Sequence, residues 1–456
     1  MSGSVLRVTG ASAVWSPGWE ESTVTSTTSL TCVDGEVVER GEPTTTTSPA
    51  LETLDARGGV ITPGLVNAHH HLLQSAFRTL PGTRGVAMAE WLGVMRAAYA
   101  SAPVDPELVF TAARVALAES LLCGVTTVGD HHLTWPAGLD PVQVAGAAFG
   151  AAESVGARLA FVRGTAGDDP DAAADSVEAI VAAHLPDAGA RGAGVRGAGA
   201  RGAGGVSADG FRQLAVGPSG VHADGPETFA ALREVAARHG LRRRTQSNEQ
   251  VDVERAARDY GRRPLHLLDE WGWLQPDVTL AHLCDVTPDE VALLARRGVT
   301  ATHAPACDLP MGWGIAPVAA LLDAGVRVGL GTSGGGSNDA GHLLADARLA
   351  MQVAPLVGRP LDALEVLTMA TAGSADGLGR PELGRLDPGC AADLVVWDVS
   401  GVADAGVADP VRGLLWASPG RRPRHVVVGG RVVVRDYELV TADEYVIATE
   451  LRRIAP

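Results

Sequence analysis

The sequence predicts an α/β fold in which a (β/α)8 barrel of the TIM type is flanked by β-strands at both ends of the chain. Three observations lead to this prediction. Residues 1–62 consist of short Val- and Thr-rich segments, residues 63–378 alternate apolar strand candidates with Ala-rich stretches, and residues 379–456 return to β-branched runs. We therefore expect one barrel in the middle of the chain.

The two ends of the chain are predicted to be β-structure. The N-terminal stretches "SVLRVTGASAV" and "STTSLTCVDGEVVERG" sustain no helical period, and polar turns separate them. Near the other end, "VVVGGRVVV" places two β-branched runs around Gly-Gly, which is the pattern of a β-hairpin. We therefore expect strands at both ends of the chain.

The middle of the chain supplies eight strand candidates, each followed by a helical stretch such as "DEVALLARRG". Eight such units are what a (β/α)8 barrel requires. A doubly wound sheet is the alternative, but no strand is followed by the Gly-rich turn of a dinucleotide-binding fold. The strand candidates are "GLVNAHHH", "GVTTVGDHH", "ARLAFVRG", "RQLAVGPSG", "LRRRTQSNE", "DVTLAHLCD", "GVTATHAPA" and "RVGLGTS".

Composition limits the partners and the chemistry. The chain has 456 residues and a net charge of −16, which disfavours nucleic acid and anionic membranes as partners. No apolar run approaches the roughly 20 residues of a membrane span, no secretion signal is evident, and the five cysteines are scattered, so we expect a cytoplasmic protein. The chain contains no lysine, which excludes Schiff-base chemistry on a lysine. The Gly/Ala/Arg stretch 187–210 is predicted to be a flexible loop.

Three consecutive histidines in "NAHHHLLQ" are the first candidate for a functional site. Residues i and i+2 of a strand point the same way, so His69 and His71 face together. In a barrel strand such a pair points toward the C-terminal mouth, where active sites of this fold lie, and imidazole is a common metal ligand. The alternative is that these histidines only cover the end of a strand.

"GGVITPGLVNAHHHLLQSAFR" resembles the first barrel strand of the aminohydrolase branch of the amidohydrolase superfamily, which includes guanine and 8-oxoguanine deaminases and triazine hydrolases. "GVTTVGDHH" is similar to the second strand, and "GRLDPGCAADLVVWD" is similar to the return into a small β-sandwich. "NAHHHLLQ" and "SGGGSND" resemble the 8-oxoguanine deaminase type most. The resemblance covers nearly the whole chain and implies that residues 1–62 and 379–456 together form that β-sandwich.

The resemblance also implies a zinc site with four protein ligands: two histidines on strand one, a histidine on strand five and an aspartate on strand eight. His69 and His71 match the first pair. Gln246 stands at the strand-five position, and Ser333 stands at the strand-eight position. An amide is a poor Zn²⁺ ligand beside imidazole, and a hydroxyl lacks the charge of a carboxylate. We therefore predict no tightly bound metal, with weak zinc binding at His69 and His71 as the alternative.

The resemblance implies that Glu249 and His282 move protons. Arg244 shares a strand face with Gln246, so it is expected to point inward, where a guanidinium would repel a dication and stabilise negative charge in a substrate. The alternative is that Arg242–Arg244 is solvated or shifted by one residue, which would exchange the two faces.

The sequence thus predicts an enzyme that cleaves a C–N bond of a small nitrogen heterocycle or a related polar metabolite. The alternatives are a metal-free lyase, isomerase or cyclising enzyme, and a binding protein without activity. The partner is a small molecule, and the relatives imply a homodimer. The residues predicted to act in catalysis are Glu249, His282, Arg244 and Ser333. The residues predicted to contact the substrate are Gln74, Arg163, Gln246, His131, His222 and Trp313.

Overall fold

Three β-sheets of nine, six and four strands organise the part of the chain that the structure describes. The structure is a computed structural model that describes residues 4–41, 51–186 and 204–455. Most of the predicted flexible loop 187–210 lies outside the described residues. The strands are β1 Val5–Thr9, β2 Ala13–Val14, β3 Leu30–Val33, β4 Glu36–Arg40, β5 Leu51–Asp55, β6 Val60–Pro63, β7 Leu65–His71, β8 Val125–His132, β9 Arg158–Thr165, β10 Arg212–Pro218, β11 Arg242–Ser247, β12 Val278–His282, β13 Thr300–His303, β14 Arg327–Leu330, β15 Ser333–Gly334, β16 Leu394–Trp397, β17 His425–Val428, β18 Arg431–Arg435 and β19 Glu438–Leu439.

Helices follow the strands of the nine-stranded sheet along the chain. The described helices are α1 Glu21–Ser26, α2 Met88–Ser101, α3 Pro106–Leu122, α4 Pro141–Val155, α5 Pro170–His184, α6 Pro226–His239, α7 Gln250–Tyr260, α8 Pro264–Glu270, α9 Pro288–Arg297, α10 Pro305–Met311, α11 Val318–Asp323, α12 Leu343–Val357, α13 Ala363–Thr368, α14 Ser374–Leu378, α15 Pro410–Trp416 and α16 Glu444–Ile454.

The nine-stranded sheet is the predicted barrel. Its order is β14-β13-β12-β11-β10-β9-β8-β7-β15, and its neighbouring strands are parallel. β15 follows β14 after two residues and pairs with β7 through Ser333 and His70, which joins the last strand to the first. The eight strand candidates of the sequence all form barrel strands, so the prediction of a TIM-type barrel is confirmed.

Sequence signals fix where the barrel helices begin and end. α3, α4 and α5 each start with proline directly after an aspartate, and Asp105, Asp140 and Asp169 accept hydrogen bonds from backbone N–H groups of the first turn. α4 ends at Gly156, whose φ of 80° is the left-handed conformation that glycine adopts without a steric penalty. The capped starts of α3, α4 and α5 end the connections that follow β7, β8 and β9 at the carboxyl ends of the strands.

The two ends of the chain meet in the six-stranded sheet. β6 pairs antiparallel with β16, so residues more than 300 positions apart become neighbours. Apolar side chains from this sheet and from the four-stranded sheet, such as Ile61, Leu394 and Leu30, form a second buried core. A buried ion pair between Arg158 and Asp393, at 2.8 Å, ties the start of β9 to this unit. The boundaries at residues 62/63 and 378/379 stay a prediction.

The two ends of the chain also contain helices that the sequence pattern did not indicate. α1, α15 and α16 lie in these regions, and α16 packs against the barrel helix α3. Ile447 and Leu451 are one turn apart on α16 and are buried, and Asp443 caps its first turn. Val and Ile in "EYVIATELRRI" favour strands by propensity, but packing on α3 overrides that preference. None of the described helices is long and apolar enough to cross a membrane.

Candidate active site

A cavity of about 460 Å³ opens at the carboxyl ends of the barrel strands. This is the face at which barrel enzymes place their catalytic groups. Of the residues singled out from the sequence, nine line the cavity: His71, Gln74, His131, His222, Gln246, Glu249, His282, Trp313 and Ser333. His69, Arg163 and Arg244 are not among the lining residues. The structure therefore brings most of the predicted site together.

One wall of the cavity is apolar and aromatic. Trp91 and Trp313 meet edge to face with ring centroids 5.4 Å apart, and the indole N–H of Trp91 donates to the Gly336 carbonyl at 3.0 Å. Met95 and Tyr99 extend this wall along α2. Flat aromatic surfaces with few polar groups suit a planar ring as ligand. α2 supplies most of this wall, and nothing in the sequence pattern of α2 had singled it out.

Four imidazoles crowd the floor of the cavity and the layer directly beneath it. The ring centroid of His69 lies 4.8 Å from that of His71, 5.0 Å from that of His282 and 6.1 Å from that of His131. His71 Nδ1 bonds the His131 carbonyl at 2.7 Å, so Nδ1 carries the proton and Nε2 is free to accept. Burial lowers the pKa of His71 to about 4 and that of His131 to about 3, which keeps both rings neutral at pH 7.

Glu249 and His282 face each other inside the site. His282 Nε2 lies 3.7 Å from Glu249 Oε1, and both side chains are buried. Neither His282 Nε2 nor Glu249 Oε2 has a hydrogen-bond partner among the described residues. Burial raises the pKa of Glu249, so its carboxyl group holds a proton more readily than an exposed glutamate does. These atoms are therefore available to a substrate.

Asp308 is a site residue that the sequence reading missed. Its Oδ1 accepts a hydrogen bond from His282 Nδ1 at 2.7 Å, and its side chain is buried on α10. Burial by itself lowers the pKa of His282, but the carboxylates of Glu249 and Asp308 outweigh burial and raise it. Asp308 follows His282 by 26 positions, and no motif spacing links the two residues.

Two residues of the site have left-handed backbone at the end of a strand. His282 closes β12 with a φ of 72°, and Ser333 opens β15 with a φ of 55°. This conformation costs a residue other than glycine on the order of 1 kcal/mol or more, and it recurs at functional sites. The Ser333 hydroxyl accepts a hydrogen bond from Ser337 at 3.4 Å, and Cys307 in turn donates to Ser337 at 3.1 Å. The hydroxyl of Ser333 is therefore part of a hydrogen-bonded row of neutral side chains.

The faces of β11 alternate as the sequence predicts. Arg243 turns outward, where it bonds Asp277 and lies over the ring of Trp273 at 4.9 Å. Arg244 turns inward on the same face as Gln246, so the alternative of a one-residue shift is wrong. Its Nη2 donates to the Ala68 carbonyl, and Nη1 has no partner among the described residues. Burial lowers the pKa of Arg244 to about 9.

Arg244 and Arg163 lie behind the cavity wall rather than on it. Arg244 interacts electrostatically with His69 and His131 from beneath the floor. Arg163 donates to Ser176 Oγ at 2.7 Å and to the Gly164 carbonyl at 2.6 Å, and its guanidinium lies over the ring of Trp135 at 4.4 Å. Its donors are thus used within the protein. Neither side chain is therefore placed to contact a ligand in the cavity directly.

His222 and Gln74 line the cavity, and each uses one polar side-chain atom in a hydrogen bond within the protein. His222 Nδ1 bonds Asp252 Oδ1 at 3.0 Å. Gln74 Oε1 accepts from the Gly336 backbone N–H at 3.1 Å, which fastens the loop after β15 to the loop after β7. No side-chain hydrogen bond of Gln246 is present among the described residues, although the residue is buried. Gln246 is thus the lining amide that is free to contact a ligand.

Few groups of side chains among the described residues have the spacing of metal ligands. A single group of three His, Cys, Asp or Glu residues has its ligand atoms within 4.8 Å of one another: His282, Cys307 and Asp308. Its imidazole and carboxylate already bond each other at 2.7 Å. His69 and His71 do not belong to any such group in the described part of the chain. Neither ring nitrogen of His69 has a hydrogen-bond partner there.

Comparison with known proteins agrees with the family resemblance of the sequence. The model of the amidohydrolase family matches residues 60–433. The chain is 34% identical to 8-oxoguanine deaminase of Pseudomonas aeruginosa, over 88% of both chains. It is 33% identical to 5-methylthioadenosine/S-adenosylhomocysteine deaminase of Natronomonas pharaonis, over 92% of this chain and 91% of the other. Among solved structures, atrazine chlorohydrolase of Arthrobacter aurescens TC1 complexed with zinc is similar with a TM-score of 0.87 and 33% identity, over 99% and 100% of the two chains.

Proposed function

Because the chain belongs to the amidohydrolase family, we propose that it is a hydrolase that cleaves a C–N bond of a small nitrogen heterocycle. Two of its relatives are named as deaminases of 8-oxoguanine and of 5′-methylthioadenosine or S-adenosylhomocysteine. The aromatic wall of the cavity suits a planar ring of this kind. The observation that carries the proposal is the buried Glu249–His282 pair: His282 Nε2 lies 3.7 Å from Glu249 Oε1, and His282 Nε2 and Glu249 Oε2 have no hydrogen-bond partner among the described residues.

The pair supplies a base and an acid for hydrolysis. Glu249 takes a proton from a water molecule while the water oxygen forms a bond to the ring carbon that bears the amino group. His282 donates its Nε2 proton to the adjacent ring nitrogen, which stabilises the tetrahedral intermediate. Glu249 then returns its proton to the amino group, the C–N bond breaks, and ammonia leaves. The added hydroxyl gives its proton back to His282 as the product carbonyl forms, which restores both residues. General acid–base groups of this type contribute about 10² to 10⁴ in rate.

We propose in addition that the site holds no tightly bound zinc. His69 and His71 are two imidazole donors, but the positions of the other two ligands implied by the resemblance carry the amide of Gln246 and the hydroxyl of Ser333. No carboxylate joins the two histidines in a three-ligand group among the described residues. This donor set does not fit a four-coordinate zinc ion, and a cation held by the two histidines alone would bind weakly.

The buried guanidinium of Arg244 supports the same proposal. It interacts electrostatically with His69 from a position without a carboxylate partner in the described part of the chain. Repulsion between a dication and a guanidinium exceeds about 4 kcal/mol at any separation under about 8 Å, for an effective dielectric constant of about 20. A zinc ion on His69 would therefore bind against a fixed positive charge. The positive charge of Arg244 therefore disfavours a zinc ion at His69.

A second candidate function uses the same pair without water. Glu249 would remove a proton from the substrate and His282 would deliver one, in an elimination, an isomerisation or a cyclisation. This chemistry needs no hydroxide activated by a metal. It is favoured because the donor set does not fit zinc. A protein that binds a ligand without converting it is the third possibility. The homodimer implied by the resemblance stays a prediction.

The proposed function is tested by incubation of the protein with 8-oxoguanine and with 5′-methylthioadenosine in H₂¹⁸O. We expect one ammonia released per product molecule and one ¹⁸O atom in the product, measured by a coupled ammonia assay and mass spectrometry. A product without ¹⁸O and without ammonia release would instead identify the non-hydrolytic candidate. Saturable binding of both compounds with no product would identify the binding protein.

A further inference from the structure

We propose that the substrate of the site carries an oxyanion group, a carboxylate or a phosphate, that binds the guanidinium of Arg255 on the cavity wall. The inference rests on the proposed function only in that both concern the same cavity. Arg255 lies on α7, which begins directly after Glu249. It is half-buried and lines the cavity. Nothing in the sequence motifs had singled it out.

The position of Arg255 suits recognition of a group attached to the reacting ring. Six residues of helix separate it from Glu249, which corresponds to about 9 Å along the axis. A small planar molecule with one acidic substituent spans that distance. The substrate would then reach the Glu249–His282 pair with its ring and Arg255 with its acidic group.

Arg255 presents donors that the protein does not use. Its Nη1 donates to the His222 carbonyl at 2.6 Å, and this bond fixes the orientation of the guanidinium. No other hydrogen bond or ion pair engages Arg255 among the described residues. The planar fork of a guanidinium matches a carboxylate or a phosphate with two parallel hydrogen bonds. The remaining N–H groups of Arg255 are free to form that pair.

Asp252 and Asp259, which flank Arg255 on α7, are engaged with other groups. Asp252 binds His222 Nδ1 at 3.0 Å, and Asp259, one turn further on α7, binds Arg258 at 2.6 Å. Of the two carboxyl residues that line the cavity, Asp130 accepts from the Leu72 backbone N–H, and Glu249 faces His282. Asp259 also interacts electrostatically with Arg255, but no carboxylate of the described chain forms an ion pair with it.

A second cation lies at the rim of the same cavity. Arg96 on α2 lines the cavity, is exposed, and makes no hydrogen bond or ion pair with the described residues. α2 and α7 are joined near their first residues, where the Met88 backbone N–H donates to Gln250 Oε1 at 3.2 Å. The chain as a whole carries a net charge of −16. A cavity mouth with two arginines that form no ion pair with the described residues is therefore more positive than the average surface of the protein. They favour an anionic ligand at this mouth.

The test is a fluorescence titration with two matched probes, pterin and pterin-6-carboxylate, which differ only in one carboxylate. We expect the carboxylate probe to bind at least tenfold more tightly than pterin at low salt, and the preference to shrink in 0.5 M NaCl. Arg255→Gln should remove the preference while the Kd of pterin stays within about twofold. Arg258→Gln is the matched control, because Arg258 is exposed on the same helix and pairs with Asp259.

Adenosine and adenosine 5′-monophosphate form a second pair that distinguishes phosphate from carboxylate as the acidic group. Equal affinity within both pairs overturns the proposal, and so does an Arg255→Gln variant that weakens the neutral and the anionic probe alike, since Arg255 would then only hold the loop of His222. Arg255→Lys, which keeps a donor for the His222 carbonyl, separates these roles further. The titration measures binding alone, so a failed hydrolysis assay with the anion preference intact would refute only the proposed reaction.

Discussion

Replacing Glu249 by glutamine is expected to lower kcat for C–N bond cleavage about 10³-fold, with substrate affinity within about threefold of the original. Glutamine has the shape of glutamate but cannot accept a proton from water, and Glu249 is the carboxylate that faces His282 in the cavity. Because its side chain caps no backbone N–H of α7, the substitution leaves the helix start intact. The measurement is steady-state ammonia release with a substrate found in the ¹⁸O assay.

The control for this substitution is Glu254→Gln on the same helix, which removes an exposed carboxylate and should leave kcat unchanged. A Glu249→Gln enzyme that retains more than a tenth of the original kcat would remove Glu249 from the chemistry. A loss of binding without a loss of kcat would assign Glu249 to substrate contact. Circular dichroism of both variants separates these results from unfolding.

The second large effect is expected for Asp308→Asn, which removes the charge that bonds His282 Nδ1 at 2.7 Å. Burial opposes the charged form of His282, and the carboxylates of Glu249 and Asp308 overcome it and raise its pKa. If His282 donates a proton, activity falls as the pH rises through that pKa. With one carboxylate gone the pKa is lower, so the alkaline limb of the kcat/KM profile should move down by at least one pH unit, and kcat at pH 8 should fall about tenfold or more.

The pH profile makes this prediction specific to a positioning role. Asparagine keeps the size and one acceptor of aspartate, so a purely structural role of Asp308 would lower activity at every pH without moving the limb. Asp289→Asn, an exposed carboxylate on α9, is the control and should leave the profile unchanged. An alkaline limb at the same pH in the Asp308→Asn enzyme would show that His282 does not act as the acid.

Patterns local in sequence were sufficient to predict the barrel and half of the site. The alternation of apolar strands and helical stretches follows from the burial of each strand between the barrel interior and a helix, and it is repeated eight times. Period-2 geometry placed Arg244 and Gln246 on one face of β11 correctly, because burial fixes the register of a barrel strand. The resemblance to the amidohydrolase family identified Glu249 and His282 as candidate catalytic residues.

Contacts between distant segments were not predictable. Asp308 meets His282 across 26 residues only because β12 and β13 are neighbours and α10 folds back over the site. Arg163 looked like a ligand contact, yet Ser176 and the Gly164 carbonyl take its donors. Arg255 belongs to no motif, and no spacing rule could show that it forms no ion pair with the described residues. In each case the outcome depends on which polar groups form hydrogen bonds or ion pairs in the folded chain.

The most direct test of the central claim, an acid–base site without tightly bound zinc, is the metal content of active protein. Protein purified without chelators would be measured by inductively coupled plasma mass spectrometry and assayed before and after dialysis against dipicolinate. We expect well under one zinc per chain and undiminished activity after dialysis. One zinc per chain, with activity that dialysis abolishes and added zinc restores, would contradict the account.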